Sequence, residues 1–171
     1  MEETVILVNE ADEVVGTGEK MRTHVVGALH RAFSIFVFNS SGKLLVQKRS
    51  RSKYHSGNLW SNTCCGHPRP GESIKEASHR RLKEEMGFDC ELKEIFSFIY
   101  RAELDNDLLE HEYDHVLVGT FNDDPKPNSD EVDDWEWVDP LTIKKRIRDN
   151  PDKYTYWLRL SLHEVINIYC G

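Results

Sequence analysis

An α/β layered domain, a mixed β-sheet flanked by helices, is what this sequence predicts. Three observations carry the expectation. Runs rich in β-branched and aromatic residues recur as far as Val138. A well-punctuated amphipathic helix stands among them, and two more helical stretches close the chain.

Taken in order, Val5 to Val8 and Val14 to Val15 read as short strands around a turn at Glu10-Ala11-Asp12-Glu13. Ala32 to Phe38 is a strand, Asn39-Ser40-Ser41-Gly42 is a turn signal, and Leu44 to Gln47 is the expected partner strand. Ser50 to Asn62 has no clear period and reads as a long loop, a feature often functional in compact domains. Cys64 to Gly71 holds two prolines and two glycines and reads as a tightly turned loop. A helix starts at Ser73, because Ser73 and Glu76 make an S-x-x-E capping box, and Gly87 stops it. Ile95 to Tyr100 and Val116 to Phe121 read as paired strands, Asp123 to Asp130 as a Pro- and Asp-rich loop, and Trp135 to Val138 as a short strand. Helices follow at about Leu141 to Arg148 and Tyr154 to Tyr169.

The 171 residues fit one domain, 1–171, with no internal repeat, low-complexity segment or long linker. At that size roughly 70% of the unfolded chain's surface is buried on folding, so the core needs no staples. A net charge of −8 argues against general attraction to nucleic acid or to an anionic membrane. An anionic substrate then requires a local cluster of cations or metals. With no run of 18 apolar residues, no membrane span is expected. The first nine residues lack the basic and apolar regions of a signal peptide. Cys64, Cys65, Cys90 and Cys170 make no disulfide framework, so free thiols in a reducing cytoplasm are expected.

The helix from Ser73 carries the most local information. Ile74, Ala77, Leu82 and Met86 form one apolar stripe. Arg81 and Glu85 fall inside it as an i,i+4 pair, and Arg80 and Glu84 repeat the spacing at its edge. Charge on a core-facing side is costly unless paired or bound. A buried structural ion pair and a ligand site are both open readings at this point. On a strand, Glu110 and Glu112 share one face, and Asp114 extends the row if the strand continues.

A wider window gives Gly66-x5-Glu72-x7-Arg80-Arg81-Leu82-x-Glu84-Glu85-x-Gly87-Phe88, which resembles the Nudix box, a loop–helix–loop that sets carboxylates near metal-bound diphosphate. One position departs: a Nudix hydrolase normally has Glu where Arg81 stands. Hydrolysis needs carboxylates to hold metals and activate water. Arginine instead grips phosphate through two parallel hydrogen bonds. The site looks built to hold a diphosphate rather than cut it. Trp60-Ser61-Asn62-Thr63-Cys64-Cys65-Gly66-His67-Pro68 resembles the W-[ST]-N-x-x-C-G-H-P segment of type I isopentenyl diphosphate isomerases. Tyr100-Arg101-Ala102 and Glu110-His111-Glu112 resemble two further segments of that family, and Tyr154-Thr155-Tyr156-Trp157 loosely matches its aromatic segment. The resemblance runs from about Val5 to Trp157.

That resemblance implies a Nudix-type layered sandwich that isomerises isopentenyl diphosphate to dimethylallyl diphosphate for isoprenoid biosynthesis. It implies one divalent metal (manganese, zinc or magnesium) on His24, His30, His67, Glu110 and Glu112. Three imidazoles and two carboxylates suit zinc, manganese or iron better than magnesium. A magnesium bridging the substrate diphosphate is implied on Glu85 and the backbone carbonyl of Cys65. Cys65 and Glu112 become the proton-transfer pair, Tyr100 orients or relays the proton near Glu112, and the Trp157 face stabilises positive charge. Lys20, Arg49, Lys53 and Arg81 hold the diphosphate. Cys64 goes to packing, and His55, His79, His111, His115 and His163 are read as non-ligands. Two other functions compete: a Nudix hydrolase of nucleoside diphosphate derivatives and a non-catalytic diphosphate binder. Arg81 and the Cys65/Glu112 pair count against the first, and the intact catalytic positions against the second.

Overall fold

The computed structural model describes residues 3–171. Along the chain run β1 (Thr4–Val8), β2 (Val14–Glu19), α1 (Lys20–Val26), β3 (His30–Phe38), β4 (Leu44–Arg49), β5 (Trp60–Ser61), β6 (Cys64–Gly66), α2 (Ile74–Met86), β7 (Leu92–Glu103), β8 (Leu109–Thr120), β9 (Val132–Val138), α3 (Pro140–Asp149) and α4 (Tyr156–Val165). The strands form one mixed sheet. β3 lies parallel to β8 from His30/Glu112 to Phe38/Thr120, and β7 runs antiparallel along the other edge of β8.

Several elements differ from the sequence expectation. β4 meets its expected partner β3 only at Phe38/Leu44, then diverges to pair with β9 over its whole length. The place beside β3 is taken by β6, which turns part of the expected Cys64–Gly71 loop into strand, with Ser34 opposite Cys65 and Ile35 opposite Cys64. α1 was not foreseen. Its N-cap is Glu19, whose carboxylate accepts from the Met21 and Arg22 amides, an uncommon cap. β8 runs from Leu109, so the Glu110/Glu112 stretch and the strand expected from Val116 are one element. Its first half alternates correctly, but its buried members Glu110, Glu112 and Asp114 are carboxylic acids, so no apolar pattern announces a strand. The final helix starts at Tyr156 and passes into a π-helical turn at Ile166–Cys170.

Strand alternation sends side chains to two layers. Phe36, Phe38, Leu44 and Val46 pack on Ile143 of α3 and Leu158 and Leu162 of α4. Phe33, Ile35, Val37 and Leu45 pack on Ala77, Leu82 and Met86 of α2. Among the described residues no helix is long and apolar enough to cross a membrane.

α2 forms as read. Ser73 and Glu76 complete the capping box, and Gly87 takes φ 72° where a Cβ would strike the Lys126 carbonyl. Ahead of the helix, Arg80 grips Glu72 with two hydrogen bonds of 2.7 and 2.8 Å, while Glu84 sits farther off at 3.4 Å. Those bonds from Arg80 hold the Glu72 carboxyl below its ordinary range. A lowered folded-state pKa stabilises above the ordinary carboxylate pKa near ~4.3 and loses that stability as pH falls. Glu72→Gln is therefore expected to cost about 1–2 kcal/mol at neutral pH. Urea melts at pH 7 and at pH 3 check this: the deficit should shrink towards zero in acid.

Candidate active site and metal centre

Three strands bring one layer of polar groups together. The parallel register sets His30 beside Glu112, and the antiparallel register sets Tyr100 opposite it. β8 points Glu110, Glu112 and Asp114 to one face, α1 supplies His24, and the chain just after β6 supplies His67. His24 Nε2 lies 2.9 Å from Glu110 Oε1, and His67 Nε2 lies 2.8 Å from Glu112 Oε2. His30 Nε2 stands between the two carboxylates, 3.3 Å from Glu110 and 3.4 Å from Glu112. One donor atom from each of these five residues lies within 4.8 Å of all the others.

The set suits a divalent cation for two reasons. Both carboxylates are buried, and their ion-pair partners among the described residues are all imidazoles. In addition, His24 Nδ1 is bonded to the Lys20 carbonyl at 2.7 Å and His30 Nδ1 to the Ala28 carbonyl at 2.9 Å. Each Nδ1 is thereby the protonated donor, which leaves the bare Nε2 facing inward, the orientation a metal-binding histidine takes. Without a bound cation, burial opposes charge on His30, but Glu110 and Glu112 hold its second proton and carry it up to about 10. Burial takes His67 down to about 4 against the pull of Glu112. The imidazoles draw Glu110 and Glu112 below the usual carboxylate range despite burial. A divalent cation held by these groups would displace the His30 proton.

Neighbouring positions on β6 send the two cysteines to opposite sides. Cys64 is fully buried in the α2 layer, whereas Cys65 lines a cavity of about 930 Å³. The Cys65 thiol lies 3.3 Å from Asn62 Oδ1 and 3.9 Å from Ser34 Oγ. Burial pushes it up to about 12, so it stays a protonated thiol. Asn62 Oδ1 also accepts from Trp157 Nε1 at 3.1 Å, and the Asn62 amide donates to the Ile35 and Cys64 carbonyls. Asn62 carries no sequence signal beyond its place in the motif. Tyr100 Oη donates to Glu112 Oε1 at 2.6 Å. Asp114 does extend the carboxylate row. It is fully buried, accepts from Ser34 Oγ at 2.8 Å, and is pushed well above the usual range by burial and by Glu112.

The same cavity gathers Lys20, Arg49, Lys53 and Arg81, together with His67, Glu110, Glu112 and Trp157. The Arg49 guanidinium sits 5.2 Å from the centre of the Trp157 ring, so the ring already meets one cation. His24, His30, Tyr100 and Glu85 are not on the cavity wall. Glu85 is 2% exposed, as its place in the apolar stripe required, and is bonded by Arg81 at 2.5 Å and by Gln47 at 2.6 Å. Two acids unforeseen in the sequence pair with the cations. Glu131 bonds Lys53 and lies 3.4 Å from Arg81, and Glu3 bonds Lys20 at 2.6 Å. Glu131 lies one residue past the Pro- and Asp-rich loop and gave no periodic signal.

A sequence model of the NUDIX domain matches residues 28–158. The chain is 53% identical over 167 residues to isopentenyl-diphosphate Delta-isomerase 2 of Aromatoleum aromaticum, covering 98% of this chain and 88% of that one. It is 54% identical to isopentenyl-diphosphate Delta-isomerase 2 of Photorhabdus laumondii, covering 93% and 90%. A crystallised protein from Deinococcus radiodurans superposes with a TM-score of 0.80 at 24% identity, covering 98% of this chain and 99% of its own, which shows the shared fold.

Proposed function

The chain belongs to the Nudix family and, within it, to the isopentenyl-diphosphate Delta-isomerases, and from that premise we propose that Cys65 and Glu112 shuttle the protons that turn isopentenyl diphosphate into dimethylallyl diphosphate. The reaction serves isoprenoid biosynthesis. One proton is added to the terminal methylene carbon, and another is removed from the carbon on the far side of the branch. The double bond moves inward, and the diphosphate stays intact.

An alkene is a weak base, so the intermediate charge has to be kept from water and met by groups already in place. Cys65 and Glu112 line one cavity, and their convergence there is the observation that carries this reading. The isomerisation is reversible. Each of the two groups is thus the acid in one direction and the base in the other. Tyr100 holds Glu112 Oε1 and offers a hydroxyl through which its proton is oriented. The Trp157 ring supports positive charge at the branched carbon.

Lys20, Arg49, Lys53 and Arg81 bind the diphosphate, offsetting locally the net charge of −8. His24, His30, His67, Glu110 and Glu112 would hold a divalent metal, with manganese or zinc the best match to the donor set. Glu85 and the Cys65 carbonyl would hold a magnesium with the diphosphate once Arg81 turns to the phosphate. Such cations supply fixed positive charge that orients Glu112 and neutralises the diphosphate. The free cysteines fit a reducing cytoplasm. Arg81, where a hydrolase carries glutamate, is the feature that disfavours diphosphate cleavage. Incubating protein, Mn2+ and Mg2+ with isopentenyl diphosphate should yield dimethylallyl diphosphate. Release of phosphate without isomer would refute the assignment.

A further inference from the structure

The loop between β4 and β5 brings a fourth imidazole, itself buried, to the metal centre. His55 is 2% exposed, and its Nε2 lies 3.1 Å from Glu110 Oε2. Glu110 divides its oxygens: Oε1 faces His24 and His30, and Oε2 faces His55. A carboxylate only accepts, so His55 Nε2 carries the hydrogen and Nδ1 is left to accept from Ser56 Oγ at 3.0 Å. His55 is outside the five-donor group. Its ring is held edge-on to Trp157 at 5.9 Å, and its backbone carbonyl accepts from Arg49 at 3.2 Å. The same loop carries Lys53.

We propose that His55 is a positioning residue: its Nε2–H fixes Glu110 Oε2, leaves Oε1 aimed at the metal, and ties the loop bearing Lys53 to the metal centre. This inference rests on Glu110 being a metal ligand, as argued above. Partners of this kind orient metal-binding side chains, and their loss typically weakens metal affinity roughly 10–100-fold.

The test is titration of metal-free protein with Mn2+ alone, followed by calorimetry, for the wild type, His55→Ala and His55→Gln. Glutamine keeps a donor N–H and removes the imidazole. The expected result is a roughly 10–100-fold weaker site in His55→Ala, unchanged stoichiometry, and recovery of most of the loss in His55→Gln. Equal affinity in all three proteins overturns the proposal. Equal loss in both variants also overturns it, because the imidazole would then be a ligand itself. A wild type that binds no Mn2+ overturns the metal reading on which it rests. Melting curves in chelator show whether each variant folds. If His55→Ala does not, Ser56→Ala removes the donor to Nδ1, and a few-fold loss of Mn2+ affinity is expected from it, no loss counting against the proposal.

Discussion

Cys65→Ala is expected to lower kcat by about 1,000-fold, within the usual contribution of a positioned acid or base, while substrate binding persists. In barrier height that is about 4 kcal/mol. Cys64 offers no substitute, because alternation along β6 buries it in the α2 layer. Alanine leaves the diphosphate cations untouched, so competition binding of dimethylallyl diphosphate should change little. Single-turnover measurement separates the two quantities. Full activity in this variant would remove Cys65 from the chemistry even if the isomerase assignment held.

Arg81→Ala should produce two separable losses. The first is in binding. A charge-assisted hydrogen bond to phosphate is worth about 1.5–3 kcal/mol, so KM is expected to rise by at least roughly 10–100-fold. The second is in folding. Arg81 is the half-buried cation bonded to the buried Glu85, and with Gln47 left as the other donor to that carboxylate its removal is expected to cost up to about 3 kcal/mol. Urea unfolding in chelator reads this directly. Mg2+ should then raise the stability of the variant more than that of the wild type, since a bound cation replaces the missing charge at Glu85. Equal Mg2+ stabilisation of both proteins would argue against Glu85 as a ligand.

Much of the fold was legible where sequence and burial follow the same rule. Ser73, Glu76 and Gly87 bounded α2 because caps are local chemistry. The stripe through Leu82 and Met86 exposed the anomaly at Glu85 because helical period and burial agree everywhere else. β8 was legible in two pieces, the Glu110/Glu112 spacing and the run from Val116, but not as one strand, because the inward Glu110, Glu112 and Asp114 break the apolar alternation that would join them. The split of β3 and β4 was invisible because the turn at Asn39–Gly42 specifies only its immediate neighbours. Within the site, spacing alone joined Glu110 to Glu112. The histidines come from α1, β3 and the chain after β6, and only resemblance linked them. His55 and Glu131 sit on loops, where no period marks an inward side chain.

Isomerisation by this site requires proton transfer to carbon without diphosphate cleavage. It is tested by turnover of isopentenyl diphosphate in D2O with Mn2+ and Mg2+, read by proton and phosphorus NMR. The expected product is dimethylallyl diphosphate with solvent deuterium in a methyl group and the diphosphate resonances intact. Phosphate release, or isomer free of solvent deuterium even on prolonged incubation, would contradict it.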